Sequence, residues 1–492
     1  MSTVLESLCA NRKTSGVNDA WTGVSGAIGG RQRGWRPGPP PPGPTFGAAY
    51  AGRCCAFVLG ARLPVLAYCS SPNLPILAMS LLKIGVIREG KTPPDFRVPL
   101  TPKKCAEVLA TWPQVRLVVQ SSPTRCFTDQ EYRDLGIEVV ESVADCDVLL
   151  GVKEVPKTEL LADKTYLFFS HTIKAQPANR ELLRTVLHKN IRLVDYETLT
   201  DARGTRVVAF GHYAGIVGAY NGLLTYGRKH MLYDLKPAHR CRDLEELIEE
   251  FYKLRGTLPA GTKIAVTGTG RVGKGAAELL DHAGIRRVTA YDFLYHEFAE
   301  PVYAALESGE YHEHRDPQRP WHEPHFFAHP TEYVSTFWRF AKAADLLINC
   351  IYWDPRAPRL FTPDELAQPW FRISVIADVS CDINGSVPCT TRPSTIAEPV
   401  YDIDRATGQE RPAYAAGETV SLMAVDNLPC ELPRNSSREF GRQLIDTVLP
   451  ALITGDDPDD RIGRATIARA GRLTERYGYL ADYVAENAEV AV

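Results

Sequence analysis

The chain is 492 residues long with a mass of 54.5 kDa, enough for two to four domains of ~100–200 residues each. Hydrophobic residues make up 44%, charged residues 23% and aromatic residues 9%, which are ordinary values for a soluble globular protein and exclude fibrous and mostly disordered chains. A net charge of −3 leaves no global basic field to hold nucleic acid, and no apolar run reaches the ~20 residues that a membrane span needs.

Residues 1–78 read differently from the rest. They carry seven Lys/Arg and only two acids, Glu6 and Asp19, so the remainder is mildly acidic and its expected partners are small molecules. The run RPGPPPPGP from Arg36 is low-complexity and predicts an extended or disordered segment. Its apolar patches, from Cys54 onward, begin too late for a signal peptide. A transit peptide, a start codon assigned upstream of Met79 and a disordered tail all stay open, and no chemistry is assigned to this segment. Twelve cysteines without a CxxC pair fit free thiols in a reducing compartment, and a cytoplasmic location is expected.

From Lys83 the pattern becomes β/α. Lys83–Arg88 predicts a strand, and Thr101 with Pro102 opens a helix as N-cap and first helical residue. Further strands are predicted at Val115–Gln120, Ile137–Glu141, Val148–Val152, Thr165–Ser170 and Arg192–Tyr196. A polar helical stretch, Arg242–Arg255, precedes a second series at Lys263–Thr267, Arg287–Asp292, Leu346–Ile351 and Ser374–Val379. Phe293–Pro330, rich in His, Pro and acids, reads as an insertion after the second strand of that series. The expected class is α/β: two Rossmann-like doubly wound domains with the active site in the cleft between them. The expected boundaries are 79–209 for a substrate domain, completed by 434–492, and 210–433 for a nucleotide-binding domain.

Lys263–Thr267 runs into a GxGxxG motif at Gly268, Gly270 and Gly273. The first glycine permits the turn, the second lets the backbone approach a pyrophosphate, and the third allows close helix–strand packing. Asp292 follows Gly273 by 19 residues at the end of a predicted strand, where it would accept hydrogen bonds from the ribose hydroxyls and repel a 2′-phosphate. NAD is therefore expected over NADP.

The first half has its own ionisable residues at strand ends. Lys153 and Glu154 follow one strand, His171 and Lys174 the next, and Glu197 a third. The carboxyl ends of strands line the ligand crevice of an open α/β sheet, so these groups are expected on one rim. A partly desolvated lysine loses its proton near neutral pH, and histidine is already poised there. The glycine-rich stretch from Arg203 to Gly218 reads as a linker or as a hinge whose Arg206 meets a carboxylate or phosphate.

Several motifs then carry a resemblance: Arg97-Val-Pro-Leu-Thr-Pro, Gly151-Val-Lys-Glu-Val-Pro, Phe168-Phe-Ser-His-Thr-Ile-Lys-Ala-Gln, Arg206-Val-Val-Ala-Phe-Gly, Ile348-Asn-Cys-Ile-Tyr-Trp, Ala377-Asp-Val-Ser-Cys-Asp and Val425-Asp-Asn-Leu-Pro. In this order the chain resembles the saccharopine dehydrogenase family, within the alanine dehydrogenase/transhydrogenase-like group. The wording of some motifs also resembles the lysine–ketoglutarate reductase half of bifunctional aminoadipic semialdehyde synthase. The resemblance implies Lys153 and His171 as acid–base catalysts, with Glu154 and Glu197 tuning the cationic cluster. It implies substrate contacts at Arg97, Lys153, Gln176 and Arg206. It implies cofactor contacts at Arg206, Phe210, Arg271, Val272, Asp292, Cys350, Val379, Val425, Asp426 and Leu428. The implied reaction interconverts saccharopine with lysine and 2-oxoglutarate using NAD and no metal, and an NADPH-linked, saccharopine-forming reaction is the alternative.

Overall fold

The computed structural model describes residues 81–485. The proline-rich run and the rest of the first 78 residues lie outside the described residues. The first strands are β1 (Leu82–Val86), β2 (Val115–Gln120), β3 (Glu138–Val140), β4 (Val148–Leu150), β5 (Thr165–Phe168) and β6 (Arg192–Asp195). All but the edge strand β3, which is exposed or half-buried, are largely buried apolar runs, as the inner strands of a parallel sheet require. β1 sits between β2 and β4, with Ile84 opposite both Leu117 and Val148. The chain therefore reverses its direction of travel across the sheet at β1, and the strand order β3-β2-β1-β4-β5-β6 is that of a doubly wound domain. Thr101 caps the helix Pro102–Thr111 by accepting from the Lys104 amide, as its sequence predicts.

The second sheet holds β7 (Lys263–Thr267), β8 (Arg286–Arg287), β9 (Val302–Leu306), β12 (Leu346–Asn349), β13 (Val375–Asp378), β14 (Val400–Asp404), β15 (Glu410–Arg411) and β16 (Thr419–Met423). A separate antiparallel ribbon pairs β10 (His312–His314) with β11 (Tyr333–Ser335). In the sheet, β7 lies between β9 and β12, all parallel, and β14 and β15 close one edge antiparallel. The chain then returns to the first lobe, where β17 (Thr466–Arg469) pairs antiparallel with β6 and β18 (Arg472–Leu473) follows. Helix Pro433–Thr447 precedes them and sends Phe440 and Leu444 into the first lobe's core.

Two expectations fail in the second lobe. The predicted strand Arg287–Asp292 is a strand only at Arg286–Arg287, after which Ala290–Tyr295 is helical. Thr289 caps that helix by accepting from the Asp292 amide, so a local side chain–backbone bond wins over the β pattern. The supposed insertion Phe293–Pro330 contains β9, the true neighbour of β7. The polarity of its flanks hid a five-residue core strand, Val302–Leu306.

Helix Gly211–Lys229 carries the chain from one lobe to the other and belongs to the core of the second. It touches helix Arg271–His282 backbone to backbone. A Cβ on Gly215 would stand 1.8 Å from the Val272 carbonyl oxygen, and one on Gly275 would stand 2.0 Å from that of His212. No described helix is long and apolar enough to cross a membrane, and the eight described cysteines are free.

Candidate active site

The glycine loop links β7 to helix Arg271–His282. Gly268 has a positive φ of 87°, and its amide donates to the Leu306 carbonyl at 2.9 Å, tying the loop to the end of β9. A Cβ on Gly273 would fall 1.8 Å from the Gly268 carbonyl oxygen, so only glycine fits. Gly270, the N-cap, has no atom within 4 Å of where a Cβ would stand. This is an open cradle in front of free helical N–H groups, the arrangement that receives a pyrophosphate. Cys350, Val379 and the segment Val425–Leu428 follow the carboxyl ends of β12, β13 and β16, so the structure gathers them on the same edge. A cavity of about 230 Å³ opens beside this edge between Ser308, Phe326, Ile351 and Tyr352. The residues present fit a dinucleotide.

Asp292 does not stand at the end of the strand beside β7. Its carboxylate is held by the Thr289 hydroxyl at 2.8 Å and lies 3.0 Å from His296 Nδ1. The acid that follows the strand beside β7 is Glu307, exposed and next to the Leu306 carbonyl that receives Gly268. The GxGxxG spacing rule pointed at Asp292 because helix Ala290–Tyr295 lengthens the connection between β7 and β9.

In the first lobe, β4, β5 and β6 deliver two neighbouring clusters. His171, in a left-handed conformation (φ 55°), stacks on Phe169 and brings Nδ1 to 3.3 Å from Glu197 Oε2. Lys174 and Arg206 approach the other Glu197 oxygen at 3.5 and 3.4 Å. Burial pushes the Glu197 carboxyl up, but the His171 hydrogen bond and these cations outweigh it and hold it at about 2. Lys174 also acts electrostatically on Asp382, which follows β13 in the second lobe. Lys153, after β4, is half-buried, and its ammonium is held below its usual pKa by desolvation and by the charges of Arg97 and Lys91. Glu154 pairs with Lys91 at 2.9 Å rather than with Lys153.

Arg97 is not an open anion receptor. It is buried, forms a bidentate pair with Asp95 (Nε–Oδ1 2.9 Å, Nη2–Oδ2 2.5 Å) and lies over the Phe210 ring at 4.2 Å. Its Nη2 also donates to Asn427 Oδ1 at 3.0 Å, which joins the lobes. Phe210 in turn stacks on Phe440. Arg206 is exposed, and its carbonyl accepts from Arg271 Nη2 at 2.9 Å, a second tie across the lobes. The Gln176 side chain is exposed, while its carbonyl accepts from the Tyr483 hydroxyl.

Two groups escaped the sequence reading. Glu89, just after β1, accepts from the Val152 and Lys153 amides at 2.7 and 2.9 Å. Burial, with the nearby Asp95 charge, pushes its carboxyl up to about 8. The strand-end rule that found Lys153 applies equally to Glu89. Below the nucleotide edge, Asn349 accepts from Thr267 at 2.8 Å and donates to Asp378 at 2.8 Å and Ser386 at 2.9 Å. Thr390 donates to the other Asp378 oxygen at 2.6 Å. This buried network fixes the ends of β7, β12 and β13, and its Asn349 and Asp378 stand beside Cys350 and Val379, the residues that their motifs pointed to.

The family model for the alanine dehydrogenase/PNT N-terminal domain matches residues 85–217, and that for its C-terminal domain matches residues 244–475. The chain belongs to the alanine dehydrogenase/PNT family. This family member is 31% identical over 473 residues to alpha-aminoadipic semialdehyde synthase of Rattus norvegicus, covering 85% of this chain and 49% of that one. The chain thus spans about half the length of that relative. It is 28% identical over 383 residues to saccharopine dehydrogenase [NAD(+), L-lysine-forming] of Emericella nidulans, covering 74% of this chain and 90% of that one. Among solved structures, an L-alanine dehydrogenase superposes with a TM-score of 0.57 at 19% identity, covering 82% of this chain and 99% of the other. A transhydrogenase from Sinorhizobium meliloti gives 0.50 at 14% identity, covering 80% and 98%. These two share the fold.

Proposed function

We propose that the chain is an NAD-dependent dehydrogenase of saccharopine: saccharopine, NAD+ and water give L-lysine, 2-oxoglutarate and NADH, reversibly. The observation that carries this reading is a desolvated lysine and an acid-held histidine on neighbouring strand ends, tied across the lobes to a glycine cradle. Relatives of both named kinds support the substrate class.

Gly268–Gly273, Cys350, Val379 and Val425–Leu428 would hold NAD+, which would supply the acceptor for the hydride leaving the glutamyl α-carbon. Lys153 takes the proton of the secondary amine, and its lowered pKa raises the share of free base. His171, oriented by Glu197, takes a proton from the water that attacks the resulting imine and returns one to the departing lysine amine. Arg206 is free to exchange its exposed Glu197 contact for a substrate carboxylate. Arg97, held by Asp95, adds fixed positive charge beside Lys153 and contributes to lowering its pKa.

Glu307 at the end of β9 supports NAD, because its carboxylate would face a 2′-phosphate. NADPH-linked formation of saccharopine is the second reading, favoured by the match to aminoadipic semialdehyde synthase. The test is absorbance loss with lysine plus 2-oxoglutarate, using NADH and NADPH in parallel. Turnover with NADH and little with NADPH is the expected result. The reverse preference selects the second reading, and no turnover with either, while NADH still binds, overturns both.

A further inference from the structure

The ribbon β10–β11 and helix Glu323–Ala328 form a small unit beside the nucleotide edge. Three side chains meet there. His314 ends β10, His325 lies on the helix and Glu332 precedes β11, and each offers a ligand atom within 4.8 Å of the others. Nε2 of His314 is 3.3 Å from Glu332 Oε2, and Nε2 of His325 is 4.0 Å from the same oxygen. His329, one helical turn after His325, brings Nδ1 to 4.0 Å from Glu332 Oε1. A tetrahedral cation with bonds of ~2.0–2.2 Å needs ligand atoms about 3.3 Å apart. The His314–Glu332 pair already meets that spacing, His325 needs a shift of about an ångström, and His329, outside the 4.8 Å group, needs a larger one, at side chains that are partly exposed.

The outer contacts suit ligation. His325 Nδ1 is 3.1 Å from the Tyr333 hydroxyl, so a proton on Nδ1 leaves the Nε2 lone pair facing Glu332. Asp316 presents both its amide, at 2.9 Å, and its carbonyl, at 3.3 Å, to His314 Nδ1. Either tautomer is therefore accommodated. Nδ1 accepts from the amide when Nε2–H donates to Glu332, and donates to the carbonyl when Nε2 turns its lone pair to a cation. The His314 side chain is only 6% exposed and meets the Tyr333 ring edge-on, which limits its freedom. Arg319, whose guanidinium lies 3.6 Å from Glu332, is 59% exposed and can swing into solvent.

We propose that His314, His325 and Glu332 form a binding site for a divalent transition cation, with His329 or water as the fourth ligand. Two imidazoles and one carboxylate are a donor set for zinc or for cobalt(II). The cation would clip the helix to the ribbon. Phe326 and Pro330, both within this ligand segment, line the 230 Å³ cavity together with Ser308 and Ile351, so the cation would stiffen that wall. The site does not depend on the reaction proposed above.

The test is cobalt(II) and zinc titration of the full chain, followed by calorimetry and by the cobalt absorption spectrum. The parent should bind one tight equivalent, with d–d bands of a nitrogen/oxygen site and no thiolate charge-transfer band. His325→Gln combined with Glu332→Gln should lose that equivalent, with at least a tenfold weaker affinity, while keeping the parent's circular dichroism. Stoichiometric binding that survives in the double variant overturns the proposal. So does a thiolate band, which would place the metal on the cysteines, or the absence of tight binding in the parent.

Discussion

Lys153 and Glu307 carry the sharpest expectations. Lys153→Met should leave NADH binding intact and lower turnover by roughly 10²–10⁴-fold, the usual loss for an acid–base group. Equal turnover would remove Lys153 from the mechanism. In the direction of saccharopine oxidation, kcat/KM should rise with pH as Lys153 loses its proton, with a midpoint below the ordinary lysine value of ~10.4. A limb centred at or above that value would mean that desolvation does not tune this group. Glu307→Ser should narrow the ratio of NADH to NADPH turnover, whereas Asp292→Ser, on its capped helix, should leave it unchanged. If Asp292→Ser moves the ratio and Glu307→Ser does not, the ribose is read from the helix.

Among elements, the crossover helix Gly211–Lys229 and the glycine-loop helix test the close contact. Gly215→Ala places a methyl against the Val272 carbonyl, so the helices must part. It should lower the melting temperature by the equivalent of ~1–3 kcal/mol, as overpacking does, and weaken NADH binding through Val272 and Gly273. Gly270→Ala has open space and should melt like the parent while still weakening NADH. Fluorescence titration and thermal melts separate the two. β14 to β18 went unread, whereas β1 to β7, β12 and β13 were legible as apolar runs, because burial of a strand's faces writes the same pattern wherever it occurs. β9 was not, since its five residues sit between acidic and histidine-rich flanks and the spacing rule assumes a shorter connection. The strand-end rule exposed Lys153, His171 and Glu197. It could not show that Asp95 claims Arg97, because only the folded loop brings both oxygens to the guanidinium. The Thr267–Asn349–Asp378 network likewise needs three strands in register.

For the whole molecule, acid is the revealing stress. The Glu197 carboxyl is held at about 2 in the folded chain, against its ordinary value of about 4.5 when unfolded. Its contribution to stability is therefore complete above pH ~4.5 and is lost as pH falls from there toward 2. Asp95, held well below the usual carboxylate range by Arg97, adds loss in the same direction. Urea midpoints should fall across that window, and Glu197→Gln should flatten the part that Glu197 supplies. An unchanged slope would show that solvent, rather than His171 and the cations, satisfies this carboxylate.

The return of the chain to its first lobe has a consequence for synthesis. β6 waits for β17, and the core around Tyr196 waits for Phe440. Every strand of the second sheet lies between these points in the sequence. On a ribosome, which releases the chain from its N-terminus, the lobe begun first is thus the one finished last. The nucleotide lobe can close its sheet while its neighbour still shows an open edge at β6 and an apolar face. A nascent chain of this protein carries that edge for the time needed to make about 270 further residues.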